Sequence, residues 1–149
     1  MVPLSYKRLI NLLAATLLAL AAPLAMGATA GNAAAKQIKT AAEHAGYAAG
    51  SKELSKVHLH LHHVINCLEG ASGPNFDASA GDPCKGMGSG GVADLKAAGQ
   101  GSGKAARATH QALALARIAV GVDSYDAADS VARAVHGLLE QADRELAGR

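Results

Sequence analysis

The chain has 149 residues, half of them hydrophobic but only 3% aromatic, with 14 Lys and Arg against 12 Asp and Glu. That length bounds a single small domain. The near-balanced charge and the lack of a basic stripe exclude the electrostatic footprint of a nucleic-acid binder.

The first element is the stretch MVPLSYKRLINLLAATLLALAAPLAMGATA. Lys7 and Arg8 precede an apolar run from Leu9 to Ala22, and small residues follow as far as Ala30. This order predicts a secretory signal peptide over residues 1–30, cut after Ala30. The run falls short of the roughly 20 apolar residues that a permanent membrane span needs. No Cys stands at the cut to carry a lipid. The expected product is an exported protein, periplasmic or secreted, with no stable membrane association. Without Lys7 and Arg8, the 14 basic residues become 12 against 12 acidic ones, so residues 31–149 are formally neutral.

Four segments, 32–49, 51–69, 104–121 and 124–147, combine Ala and Leu richness with apolar residues at helical spacing. Gly50 and Ser51 supply a break and an N-cap between the first two. Gly121, Asp123 and Ser124 do the same between the last two. Such short connections imply hairpins, and the expected fold is all-α: an antiparallel four-helix bundle of residues 31–149. VHLHLHHV also alternates as a strand would. However, residues 51 to 69 run without Gly or Pro, longer than the usual strand of about 5 or 6 residues, which favours a helix.

The centre, residues 70–103, is dense in Gly, Pro, Asp and Ser and reads as a crossover loop, with VADLKAA able to add a helical turn or two. Asp77 and Asp82 do not have the spacing of a calcium-binding EF-hand. Cys67 and Cys84 are the two cysteines. In an exported chain they are expected to pair and tie the loop to the second helix, with a contribution of roughly 3 kcal/mol in the chain-entropy account. The competing role for Cys67 is that of a thiolate ligand.

His58, His60, His62 and His63 fall within six residues of the second predicted helix. At about 100° per residue, Leu54, Val57, Leu61, Val64, Ile65 and Leu68 form one core-facing stripe. His58 and His62 then lie together at one margin, and His60, His63 and Cys67 group on the far side. The relations His58 to His62 and His63 to Cys67, four residues apart, each let two side chains close on one cation. Further ligands must come from elsewhere: His44 sits at the edge of the first helix's stripe of Ile38, Ala41, Ala42, Ala45 and Ala49. His136 sits at the edge of the fourth helix, whose inward set is Val131, Val135, Leu138, Leu139, Ala142 and Leu146, with Glu140 one turn on. His110 shares a polar face with Arg107 and Arg117, whose charge disfavours a cation. Each isolated histidine also has a plainer reading as a solvated side chain. The cluster points more strongly to a metal, because imidazole offers a helix neither strong propensity nor clean apolar burial, with a pH-sensing or solvated face as its other reading.

The helical pattern, the export signal and the sequence EHAGYAAG, with its His-Ala-x-x-Ala spacing, resemble the small His-rich metal-binding proteins of the bacterial periplasm. The resemblance implies a helical bundle that takes up divalent or copper ions for buffering or delivery. This chain carries fewer His outside the second helix, which implies one or two sites rather than many.

The expected function is therefore non-catalytic metal binding, with His58, His62, His60, His63, His44 and His136 as candidate ligands and copper, nickel or zinc as the ion. The affinity order favours copper where copper is available. Binding should weaken below about pH 6.5, where free imidazole protonates. Two alternatives stand beside it: non-covalent haem held between facing helices, since no C-x-x-C-H is present, and a metal-free interaction or stress protein with a proton-sensitive face. No enzyme is expected. G-x-S-x-G, H-E-x-x-H and a phosphate-binding Gly loop are all missing from the sequence.

Overall fold

The computed structural model describes residues 5–101 and 103–148, with side chains described from residue 27 onward apart from 102. Most of the expected leader, residues 1–30, thus lies outside the described side chains. The regular secondary structure of the described residues is all helical, without a strand among them. The elements are α1 Ser5–Gly50, α2 Leu54–Glu69, a 3-10 turn Ala78–Ala80, α3 Gly91–Ala97, α4 Lys104–Ala119 and α5 Tyr125–Ala147. VHLHLHHV belongs to α2, and VADLKAA supplies most of α3.

Two boundaries differ from expectation, each for a local reason. Ser51 does not cap α2. Its hydroxyl donates to the Tyr47 carbonyl (2.7 Å) and its backbone N–H to the Ala48 carbonyl (3.1 Å), so it closes the last turn of α1 instead. The N-cap of α2 is Glu53, without a side-chain hydrogen bond. Ser124 does cap α5, accepting from the Ala127 N–H. The first helix also extends N-terminally past residue 32, since the Ala- and Leu-rich sequence before it is composed of helix formers.

The core is the one the periodicity marks on α1 and α2. Ile38, Ala41, Ala45, Val57, Leu61 and Val64 are fully buried, with Ile65 and Leu68 beside them. On α5 the stripe is turned: Ala128, Ala132, Val135, Leu139 and Ala142 are buried, while Val131, Leu138 and Leu146 lie at its margin. Alanines at the centre of a contact let helix backbones approach closely and leave the longer side chains to fill the flanks. α1 packs against α2, α3 and α5, and α4 packs against α5 and α2.

Three features fix the segment between α2 and α4. At its base the backbones at Gly70 and Gly90, with φ +71° and +113°, lie so close that a Cβ on either would collide with the other strand of the loop. Only glycine combines that conformation with that approach. Beside this, Gln37 of α1 is buried and donates to the Asp94 carboxylate (2.6 Å) while accepting from the Gly90 N–H (2.9 Å). Further along, the sulfurs of Cys67 and Cys84 stand at disulfide distance, with both residues buried and their Cα atoms 5.1 Å apart. Asp77 and Asp82 serve as turn acceptors in between: the first takes the Ser79 N–H and hydroxyl, the second the Cys84 N–H.

Candidate metal centre

The hairpin of α1 and α2 sets the margin of one helix against that of the other. His44 stands at the edge of α1, one residue before fully buried Ala45. His60 and His63, three residues apart on α2, share the face turned toward it. The Nδ1 atom of His44 lies 3.1 Å from Nδ1 of His63 and 3.3 Å from Nδ1 of His60. Ligand atoms of all three imidazoles fall within 4.8 Å of one another, and all three residues are half-buried.

These spacings have a chemical meaning. Nitrogens bound to one tetrahedral ion at about 2.0–2.1 Å are themselves separated by about 3.3–3.4 Å. A proton serves such a cluster poorly. One N–H on His44 can satisfy one neighbour well, leaving the other nitrogen facing it unpaired, whereas a cation accepts all three lone pairs.

Electrostatics keep those lone pairs free. Burial, then the neighbouring His63 and His60, lowers the pKa of His44 from 6.5 to about 4. Burial, followed by His63 and Lys56, also lowers that of His60. Both imidazoles are therefore neutral near pH 7, the form that binds a metal.

The tautomer of His63 is set by the backbone. Its Nε2 is 2.7 Å from the Ala80 carbonyl oxygen, which can only accept, so Nε2 carries the hydrogen. Neutral His63 then presents a lone pair on Nδ1, toward His44. Outer partners of this kind routinely orient metal-binding histidines. The turn that carries the Ala80 carbonyl is held by Asn66, a fully buried residue three positions along α2. The Asn66 amide donates to the carbonyls of Asp77 and Gly81, both at 2.7 Å, and its Oδ1 accepts from the Asp77 N–H at 2.8 Å. Tyr47 flanks the opposite side, its ring 5.4 Å from that of His44 and 5.5 Å from that of His60, with the residue 56% exposed.

The remaining histidines named from the sequence lie elsewhere. Nε2 of His58 is 3.0 Å from the Val122 carbonyl, to which it donates, linking α2 to the connection between α4 and α5. Nδ1 of His62 stands 3.7 Å from the Asp77 carboxylate. His136 lies across Gly46 of α1 and is 3.5 Å from Glu140. His110 is exposed on α4. His58 and His62 thus turn to separate partners, and Cys67 is engaged with Cys84 rather than with His63.

Asn66 and the Ala80 carbonyl escaped the sequence reading. A polar Asn between Ile65 and Cys67, within a stretch bound for burial, was a usable signal for the first. A backbone carbonyl leaves no signature in a side-chain pattern. Comparison with protein-family models, curated proteins and solved structures finds no match to this chain.

Proposed function

We propose that the protein is an exported, non-catalytic metal-binding protein that holds a copper, nickel or zinc ion on His44, His60 and His63, in a buffering or delivery role. The carrying observation is the convergence of three imidazoles from two helices, with the donor atom of His63 selected by the Ala80 carbonyl. In this reading the four long helices form an antiparallel bundle and the Cys67–Cys84 pair ties down the crossover loop that aims His63. The leader-like N-terminal sequence and the paired cysteines support an oxidising, extracytoplasmic setting.

Haem is less well served. Bis-histidine axial ligation needs two imidazoles on opposite faces of a porphyrin, whereas the His44 and His63 rings meet edge to face with centroids 4.6 Å apart. That spacing suits a single ion.

Equilibrium dialysis against copper, nickel and zinc tests the proposal. One equivalent of at least one ion should be retained, retention should fall sharply in His44→Ala and His63→Ala, and His58→Ala should keep it. No retained ion, or retention indifferent to His44 and His63, rejects the reading.

A further inference from the structure

The donor set itself says what else the site would bind, granted the metal-binding reading above. All three donors are imidazoles, which as ligands bring no negative charge, and no carboxylate or thiolate joins the cluster among the described residues. The acidic groups nearby are committed elsewhere. Glu43, next to His44 in sequence, lines the groove on the other side of α1 with Lys39, His136 and Glu140. Asp77 accepts from Ser79 and faces His62. Lys56 is the charged neighbour felt by His60. A divalent ion here would keep its whole charge uncompensated, in a setting already biased toward positive.

Shape points the same way. Three protein nitrogens fill three corners of a tetrahedron, and three-ligand sites of this type keep the fourth for water or an exchangeable ligand. α1 and α2 stand behind the cluster, and the loop at Ala80 and Gly81 covers its His63 side. The exposed side is the one flanked by Tyr47.

We infer that the metal-loaded triad binds a small monoanion at a fourth, exchangeable coordination position opening beside Tyr47. An anion there gains a coordinate bond and neutralises charge that no protein group offsets. The internal competitor to test is the Tyr47 phenol, whose ring packs with centroids 5.4 Å from His44 and 5.5 Å from His60.

Cobalt(II), a spectroscopic stand-in for zinc, separates these possibilities when loaded into the full protein and titrated with azide. The expected result is a four-coordinate visible spectrum that shifts with azide to a single saturating endpoint in the wild type and in Tyr47→Phe alike, with the metal still bound. A cobalt spectrum unmoved by excess azide in both proteins overturns the inference. So does a wild type that is unresponsive while Tyr47→Phe responds, which assigns the position to the phenol. Failure of the wild type to bind cobalt, zinc, copper or nickel at all instead strikes the metal-binding reading, and this inference with it.

Discussion

The imidazole of His63 donates from Nε2 to the carbonyl of Ala80 across 2.7 Å, and this one contact decides which of its nitrogens faces His44. The carbonyl stays in place because Asn66 grips the turn on either side of it, at Asp77 and Gly81. A buried amide that touches no ligand thereby governs a ligand's orientation.

Asn66→Ala is accordingly expected to weaken metal affinity by about 10- to 100-fold, the range typical for loss of an outer-shell partner. It should also destabilise the fold by roughly 1–3 kcal/mol, because the Asp77 N–H and two carbonyls lose their partner. Competition with a chromophoric chelator, well below the unfolding temperature, separates the two effects. Long-range 15N NMR provides a further check: His63 should be the Nε2-protonated tautomer in the wild type and a mixture in the variant.

Acid should destabilise the metal-free protein through His44. Its pKa is about 4 in the folded chain and 6.5 in the unfolded reference, so between these values the unfolded state binds a proton that the folded state does not. Stability is therefore fully present above about pH 6.5 and is lost progressively as pH falls toward 4, with His60 adding in the same direction. Thermal melts across that range should show the midpoint dropping, and His44→Asn should flatten the slope. His44 itself is half protonated only near pH 4, so its donor atom stays available below the pH at which free imidazole is lost.

Reduction of the Cys67–Cys84 pair, or the double change to Ala, is expected to lower stability by roughly 3 kcal/mol, given their sequence separation of 17. Because Ala80 lies within the closed loop, metal affinity should fall as well. Denaturant melts and dialysis, each with and without reductant, measure the two effects. Unchanged affinity in the reduced protein would show that Asn66 alone suffices to hold the turn.

Arg117→Ala provides a contrast. The Arg117 guanidinium bonds the Glu69 carboxylate at 2.6 and 2.8 Å. Burial opposes ionisation of Glu69, but hydrogen bonds from Asn75 and Arg117 outweigh it and hold its pKa below the ordinary value. Losing Arg117 should cost about 1–2 kcal/mol in a urea melt and leave metal retention intact, since this pair anchors α2 to α4 away from the triad.

Much of the fold was legible because helix periodicity is a local property. Ile38 with Ala41 and Ala45, or Leu61 with Val64 and Leu68, announce their buried faces within a few turns, and Gly, Pro and Asp mark the loop. The same wheel separated His60 and His63 from His58 and His62. It could not say which helix would lie across from either pair, and so could not choose His44 over His136. That choice depends on the packing of α1 against α2 and on a turn whose carbonyls no side chain advertises. The inward face of α5 was read from its largest residues, whereas packing settled on Ala128 and Ala132. Close approach of helices rewards small side chains that a hydropathy pattern undervalues.

X-ray absorption at the edge of the bound metal tests the central claim most directly. Three imidazole nitrogens at about 2.0–2.1 Å are expected in the wild type, and a reduced imidazole count in His44→Ala and His63→Ala. A shell containing sulfur at about 2.3 Å, or an imidazole count unaltered by loss of His44 and His63, would contradict it.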